Sequence, residues 1–197
     1  MMRSRPAASP ALPLQGQGIL GVVLAGGLSS RFGSDKALAE LCGQPLLTHA
    51  IDTLGQWCDV VVVAGRHTAP APTIADWPRC GMGPLAGLAA ALRLARAEGY
   101  QAVLSCGVDV AGLPADLLGR LAPAPAYVES QPVIGLWPAS AAAAAEEILH
   151  SDARHSLRAL AEAIAARPVG LPFPPHNINT PADLAAAERA HDLSTAE

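Results

Sequence analysis

Three short apolar runs alternate with segments of helical pattern, and this alternation limits the possible folds more than any other feature. Residues 19–24, 59–64 and 101–105 are almost continuously apolar, which is typical of strands buried on both faces of a parallel sheet. Residues 46–54 and 84–98 lie between them and carry the spacing and composition of helices. The order strand, helix, strand, helix, strand predicts an α/β fold with a mostly parallel sheet and helices on both faces.

The second half of the chain has a less regular pattern. Residues 126–129 and 133–137 have the composition of two short strands, and we expect them to form an antiparallel pair. Further helices are predicted from Pro114 onwards and over residues 139–149 and 156–166.

Composition and charge exclude several classes of function. The net charge is −4 and no stretch concentrates lysine and arginine, so a nucleic-acid partner is not expected. No segment reaches the roughly 18–20 apolar residues that span a bilayer, so no membrane partner is expected either. The four cysteines contain no C-x-x-C pair, which argues against a zinc site. Scattered thiols fit a reducing compartment, and we expect a cytoplasmic protein.

The domain organisation is predicted to be simple. Residues 1–17 are proline-rich and lack a signal-peptide core, so we expect a disordered N-terminal segment. Residues 18–197 are expected to form a single domain, since 197 residues is close to the usual size of one domain.

A glycine-rich loop follows the first predicted strand directly. It runs from Leu24 through Gly26 and Gly27 to Arg31 and Lys36. Glycines let the backbone approach a ligand closely, backbone N–H groups in such loops bind anions, and the two cations add full charges. The spacing matches neither the P-loop nor the dinucleotide fingerprint. The pattern favours a polyphosphate site, and the alternative is a glycine-rich turn with solvated charges.

An acidic residue, Asp109, stands just after the third buried run. In a parallel sheet it would lie near the glycine-rich loop, because ligands bind at the carboxyl ends of the strands. Beside a triphosphate it would hold Mg²⁺, which prefers carboxylate and phosphate oxygens. A helix-capping or turn aspartate is an equally good interpretation of this residue alone.

Two weaker patterns complete the set of candidate residues. Asp76 precedes a Gly-Pro-Leu-Ala-Gly segment at 83–87, which opens a helix whose N-terminus could face a ligand; a plain turn explains it nearly as well. Asn177 and Asn179 precede a helix that we expect Thr180 to cap. They could bind a ligand, but capping and turn formation explain them better when they are taken alone.

Taken together, these motifs resemble those of the molybdenum cofactor guanylyltransferases. The resemblance rests on the 24–36 loop, the segments 83–87 and 131–136, and the Asn-Ile-Asn-Thr-Pro run at 177–181. They occur in the family's order and cover roughly residues 19–190. The resemblance implies a Rossmann-like three-layer fold and an enzyme that transfers GMP from GTP to molybdenum-bearing molybdopterin, with release of pyrophosphate.

The resemblance also implies roles for individual residues. The nucleotide would be bound by a set taken mostly from the first loop: Leu24, Ala25, Gly26, Gly27, Lys36, Asp76 and Asp109. Asp76 would help to hold the guanosine and Asp109 would also ligate Mg²⁺. Arg31 and Lys36 would stabilise charge on the phosphates during catalysis, and Asn177 and Asn179 would bind the acceptor. The implied partners are GTP and molybdopterin, with molybdoenzyme apoproteins or other cofactor-biosynthesis proteins as further candidates.

The sequence departs from the family pattern at two places. Gly107 and Val108 precede Asp109 where the family usually has proline and cysteine. Val63 stands where the family often has asparagine, which would remove one hydrogen bond to the nucleotide. Two alternatives therefore stay open: a cytidylyltransferase or other nucleotidylyltransferase, for which Gly26 is the less usual residue, and a nucleotide-binding protein without catalysis.

Overall fold

A computed structural model describes residues 18–26, 35–152, 154–172, 175–178, 180 and 182–188 of the chain. The strands are β1 (Ile19–Leu24), β2 (Glu40–Leu41), β3 (Gln44–Pro45), β4 (Val60–Ala64), β5 (Thr73–Ile74), β6 (Ala102–Gly107), β7 (Val110–Ala111), β8 (Ala126–Val128), β9 (Gln131–Pro138), β10 (Arg167–Val169) and β11 (His176–Asn177). The helices are α1 (Leu46–Gly55), α2 (Pro84–Glu98), α3 (Leu117–Leu121), α4 (Ala142–His150), α5 (Leu157–Ala163) and α6 (182–188). Short 3₁₀ turns occupy Lys36–Leu38 and Ala139–Ala141.

Seven of the strands form one sheet in the order β10-β8-β9-β6-β1-β4-β5. Strands β6, β1, β4 and β5 are mutually parallel, whereas β9 is antiparallel to both β6 and β8. The predicted antiparallel pair is therefore confirmed, and it belongs to the main sheet rather than standing apart. The expected α/β fold with a mostly parallel sheet is confirmed.

Both faces of the sheet are covered by helices, as the apolar strands predict. Leu20 and Val22 of β1 pack into one core cluster with α2, α4 and α5, and Val23 packs into the other with α1 and α3. This alternation follows from the two-residue period of a strand. Because β1 is buried on both faces, its carboxyl end has a fixed position from which the next loop starts.

The helix ends agree with their local signals in most places. Gly99 ends α2 in the left-handed conformation at φ 81°, as expected of a C-terminal glycine. Thr180 and Asp183 form the reciprocal cap at the start of α6, with N–H to side-chain oxygen distances of 2.8 and 3.2 Å. The predicted cap is thus confirmed.

Three helix boundaries differ from the prediction by three residues each. The helix expected over residues 139–149 begins as the Ala139–Ala141 3₁₀ turn and becomes α-helical at Ala142. The helix expected from Pro114 begins at Leu117, after a turn in which the Leu117 N–H donates to the Pro114 carbonyl. The helix expected to reach residue 166 ends at Ala163, because Ala165 takes a positive φ of 51° and the chain turns into β10. The predicted disorder of residues 1–17 concerns a segment outside the described residues. No helix of the described part is long and apolar enough to cross a membrane.

Candidate functional site

The candidate residues lie at one edge of the sheet, where four parallel strands end side by side. The strands β6, β1, β4 and β5 are neighbours in that order, and Leu24 at the end of β1 pairs with Ala64 on one side and Gly107 on the other. The chain order of the strands reverses across β1, which is the kind of switch point where open α/β sheets bind ligands. Asp109 and Asp76 follow the two outer strands of this group, β6 and β5.

Lys36 and Asp109 form an ion pair at this edge. The Lys36 Nζ lies 3.1 Å from the Asp109 Oδ2, and the two side chains are 11% and 30% exposed. Lys36 opens the first 3₁₀ turn, and Asp109 stands in the turn between β6 and β7. The sequence predicts that both residues lie near a triphosphate, and the structure places them in direct contact although 73 positions separate them.

The main chain around Asp109 is held by a small antiparallel pairing. In it, β7 pairs with β11 so that Val110 lies opposite Asn177, and the Ile178 N–H donates to the Asp109 carbonyl at 3.0 Å. The segment predicted to bind an acceptor therefore lies beside Asp109. Gly107 also matters here, because a Cβ at that position would lie 2.6 Å from the Asp109 Oδ1. Glycine at position 107 therefore leaves the space that the Asp109 carboxylate occupies.

A cleft of about 100 Å³ opens at the other end of the same edge. We call it the glycine cleft, and its lining includes Leu24, Gly26, Ala64, Asp76, Gly83 and Gly87. Gly83 precedes α2 with a φ of 78° and offers no side-chain cap. The N-terminus of α2 lines the cleft, and its positive dipole end favours an electron-rich ligand group.

Asp76 is the charged residue of the glycine cleft. Burial raises the pKa of its carboxyl group, because desolvation disfavours the ionised form. A Cβ on Gly87 would lie 3.3 Å from the Asp76 Oδ1 and 2.9 Å from the Leu24 Cδ2. Glycine at position 87 therefore leaves the space that the carboxylate uses.

Gly65 is a residue of this edge that the sequence reasoning missed. Its φ is 82°, and a Cβ on it would lie 2.4 Å from the Gly26 Cα. The strand ends are held together here, since the Ala25 N–H donates to the Ala64 carbonyl at 2.9 Å. Two features therefore favour glycine at position 26. Gly65 packs against it, and a side chain there would take up room in the cleft.

Val63 does not have the position that the resemblance suggested. Its side chain is fully buried in the core cluster on the α1 side of the sheet, so it does not face the glycine cleft. The expectation that Val63 costs a hydrogen bond to the nucleotide is wrong for this chain. The residue of β4 that lines the cleft is Ala64.

A second ion pair stands next to Lys36, and the sequence reasoning missed it too. Arg66 follows the end of β4 and donates to both carboxylate oxygens of Asp35, at 2.9 and 2.6 Å. The hydrogen bond from Arg66 lowers the pKa of Asp35. The available signal was an arginine two residues beyond a strand end, which has no specific meaning until the fold is known.

Three of the predicted site residues lie outside the described residues. They are Gly27, Arg31 and Asn179. Within the described part, no cluster of three or more His, Cys, Asp or Glu side chains could hold a metal ion. The donor set at this edge is the Asp109 carboxylate, which suits a hard cation that takes its other ligands from water and phosphate oxygens.

Comparisons with known proteins identify the family and agree with this fold. The family model of the MobA-like NTP transferase domain matches residues 21–169. A molybdenum cofactor guanylyltransferase from Acidiphilium cryptum is 39% identical over 189 residues, covering 88% of this chain and 95% of that protein. One from Rhodobacter capsulatus is 36% identical over 180 residues, covering 86% and 95%.

Solved structures share the fold. The molybdopterin-guanine dinucleotide biosynthesis protein A from Archaeoglobus fulgidus superposes with a TM-score of 0.68 at 23% identity, covering 88% of this chain and 99% of that one. The 2-C-methyl-D-erythritol 4-phosphate cytidylyltransferase from Thermus thermophilus gives a TM-score of 0.55 at 17% identity, covering 87% and 98%. Given the matched family model and these relatives, the chain belongs to the MobA-like NTP transferase domain family and is a nucleotidyltransferase.

Proposed function

We propose that this protein transfers GMP from GTP to molybdenum-bearing molybdopterin and so forms the guanine dinucleotide form of the cofactor. The observation that carries the proposal is the Lys36–Asp109 pair, which lies on the same sheet edge as the glycine cleft. A nucleoside in the cleft would direct its phosphates along that edge towards the pair. The relatives named molybdenum cofactor guanylyltransferase support this choice of donor and acceptor.

The glycine cleft is the proposed nucleoside site. Asp76 would accept hydrogen bonds from the guanosine, since an ionised carboxylate only accepts. Leu24 and Gly26 would supply apolar surface and room for close approach, and Ala25 would fix the loop through its bond to β4. Gly27 would add a backbone contact to the phosphates.

The Lys36–Asp109 pair is the proposed phosphate and metal site. Lys36 would leave the carboxylate and bind the phosphates of GTP, with Arg31 as a second cation, and Asp109 would hold Mg²⁺. When bound, that ion would neutralise charge on the phosphate oxygens. Once Lys36 has moved, the Asp109 carboxylate would be left to hold a cation that takes its other ligands from the substrate.

The chemistry needs positioning and charge neutralisation rather than a general base. The terminal phosphate of molybdopterin is already ionised near neutral pH, so its oxygen forms the new bond to the α-phosphorus without prior loss of a proton. The bond from the α-phosphorus to the bridging oxygen breaks, and pyrophosphate carries the electron pair away. Lys36 and Arg31 would stabilise the charge that accumulates on this leaving group.

The acceptor would bind beside Asp109. The pairing of β7 with β11 brings Asn177 to this position, and we propose that Asn177 and Asn179 contact the pterin. Molybdoenzyme apoproteins or other cofactor-biosynthesis proteins would receive the product. GTP is the donor, and we propose that the reaction takes place in the cytoplasm.

The test measures pyrophosphate release with purified protein, Mg²⁺, molybdopterin and one nucleotide at a time. We expect release with GTP and little with CTP, ATP or UTP, and GTP should raise the melting temperature most. At a hundred-fold excess over Kd, binding would stabilise the protein by about 2.7 kcal/mol. Faster release with CTP would identify a cytidylyltransferase, and binding of GTP without release would identify a non-catalytic protein.

A further inference from the structure

We propose that Arg66 is a positioning residue for Lys36 and that it acts through Asp35. The inference rests on the proposed function, because Lys36 is taken as the phosphate-binding lysine. Arg66 lies in the loop after β4, and its side chain is 18% exposed, whereas that of Asp35 is 43% exposed. The two side chains form a fork-to-fork pair with two parallel hydrogen bonds, the arrangement in which a guanidinium fixes a carboxylate in orientation as well as in place.

Asp35 connects this pair to the backbone that carries Lys36. The Asp35 Oδ1 that accepts from Arg66 also accepts the Ala37 N–H at 3.2 Å, and Asp35 is the N-cap of the Lys36–Leu38 turn. The Leu38 N–H closes the turn on the Asp35 carbonyl at 3.0 Å. A 3₁₀ turn of three residues has little stability of its own, so its orientation depends on this cap.

The opposite side of the turn is held by the core. Ala37 is 3% exposed and packs in the cluster with α1. The Leu46 N–H donates to the Ala39 carbonyl at 2.9 Å and joins the end of the turn to α1. Loss of Arg66 would therefore leave the turn in place but free its N-cap, Asp35, to shift, and Lys36 is the next residue along the chain.

The path from Arg66 to the phosphate site thus has three links. The guanidinium orients Asp35, Asp35 caps the turn, and the turn directs Lys36 towards Asp109. Lysine cannot replace Arg66 in this role, because an ammonium is a point charge without a planar fork. The rival explanation is that Arg66 leaves Asp35 when GTP binds and contacts a phosphate itself.

A double-mutant cycle on Arg66→Gln and Asp35→Asn separates these two explanations. Asparagine is as good an N-cap as aspartate, so Asp35→Asn keeps the turn and removes the charge-assisted pairing. If Arg66 acts through Asp35, Arg66→Gln should lower kcat/KM for GTP by about 10- to 100-fold, the range expected when a catalytic group is misplaced by less than about 1 Å. In the Asp35→Asn background the same change should cost less than about three-fold. Equal losses in both backgrounds would overturn the proposal in favour of direct contact.

Controls distinguish positioning from a general loss of stability. Arg120→Gln removes another fork-to-fork pair, between Arg120 of α3 and Asp116, the N-cap of that helix, and α3 packs against β8 and β9. This variant should match Arg66→Gln in melting temperature within a few degrees yet keep the wild-type kcat/KM. Arg66→Lys should recover only part of the activity. Full recovery by lysine would contradict a role for the fork.

One readout does not depend on GTP turnover. Amide hydrogen exchange of the Ala37 N–H, followed in nucleotide-free protein, should speed up at least ten-fold in Arg66→Gln and stay unchanged in Arg120→Gln. If the wild-type protein releases no pyrophosphate from GTP but Ala37 exchange responds, the proposed function fails and the link from Arg66 to the turn stands. An unchanged Ala37 exchange rate in Arg66→Gln would overturn the link itself.

Discussion

Replacement of Lys36 by methionine should raise the affinity of the nucleotide-free protein for Mg²⁺. The Lys36 ammonium lies 3.1 Å from the Asp109 Oδ2, where it occupies the position of a cation beside the carboxylate proposed to hold the metal. A metal ion that enters without nucleotide must displace this ammonium or tolerate its repulsion. Methionine has a similar length and no charge, so it removes the competitor and keeps the packing of the side-chain stem.

The expected size of the effect follows from the geometry of the pair. Two unit charges at this separation attract by about 1.3 kcal/mol in water and about 5 kcal/mol at an effective dielectric constant of 20. With side chains 11% and 30% exposed, the pair lies between these limits, and the desolvation of both groups offsets part of the attraction. A net contribution of about 1–2 kcal/mol corresponds to a rise in Mg²⁺ affinity of about 5- to 30-fold.

GTP affinity should change in the opposite direction. Loss of a hydrogen bond to a charged group costs about 1.5–3 kcal/mol, so Lys36→Met should weaken GTP binding by about 10- to 150-fold. Lys36 is the only lysine of the chain, so a lysine-selective acylating reagent can also report its accessibility. GTP with Mg²⁺ should protect Lys36 from that reagent.

Titration calorimetry with MgCl₂, and then with GTP at saturating Mg²⁺, measures both affinities on one preparation. Lys36→Arg is the matched control, since it keeps the positive charge and should not gain metal affinity. Asp109→Asn should bind the metal weakly whether or not Lys36 is present. An unchanged Mg²⁺ affinity in Lys36→Met would refute the competition between the ammonium and the metal.

Four further predictions follow from the same edge of the sheet. Asp109→Asn should lower kcat for pyrophosphate release by about 10²- to 10³-fold, while the Kd for GTP measured without metal changes little. Gly65→Ala should destabilise the fold by at least about 1 kcal/mol in urea denaturation, because a positive φ and a backbone contact both oppose a Cβ; Gly119→Ala, in an open helical position, should be neutral or stabilising. Asn177→Ala should raise the KM for molybdopterin by a few-fold to about ten-fold and spare GTP binding. Asp76→Asn should weaken GTP binding yet stabilise the folded protein.

The main features of the fold could be predicted because they depend on local patterns. The runs that became β1, β4 and β6 are apolar on both faces, and α2 ends at the glycine that the sequence indicates. The smaller strands could not be predicted in the same way. Strand β10 has three residues, two of them exposed, and it exists because β8 provides a neighbour for pairing. Its position depends on contacts between distant segments, which a local pattern does not contain.

The candidate site likewise contains residues that the sequence indicates and residues that only the fold reveals. Lys36, Asp76 and Asp109 could be proposed from their places after strands and in a glycine-rich loop. The partners of these residues could not, because Gly65 and Arg66 become meaningful only when β4 lies beside β1. The approach of Asn177 to Asp109 likewise requires the pairing of β7 with β11, two strands of two residues each.

Replacement of Asp76 by asparagine should weaken GTP binding but stabilise the folded protein. Burial raises the pKa of the Asp76 carboxyl group above the ordinary value for aspartate, so the ionised form is less favourable in the folded protein than in the unfolded chain. The cost is absent below the unfolded pKa, develops as the pH rises through the folded pKa, and remains constant above it. Asparagine carries no charge, so Asp76→Asn should raise the free energy of unfolding at pH 7 and leave it nearly unchanged below the unfolded pKa.

The matched control for Asp76 is Asp116→Asn, whose carboxyl group has the opposite shift. The hydrogen bond from Arg120 lowers the pKa of Asp116, so that carboxylate contributes stability above its unfolded pKa and loses it as the pH falls through the folded value. Asp116→Asn should therefore be neutral or slightly destabilising at pH 7 and should not change GTP affinity. Urea denaturation from below the unfolded pKa of aspartate up to pH 7 measures the effect on stability, and GTP titration at pH 7 measures the effect on binding. If Asp76→Asn destabilised the protein at pH 7, the carboxylate would be a structural group of the cleft and not one held there for a ligand.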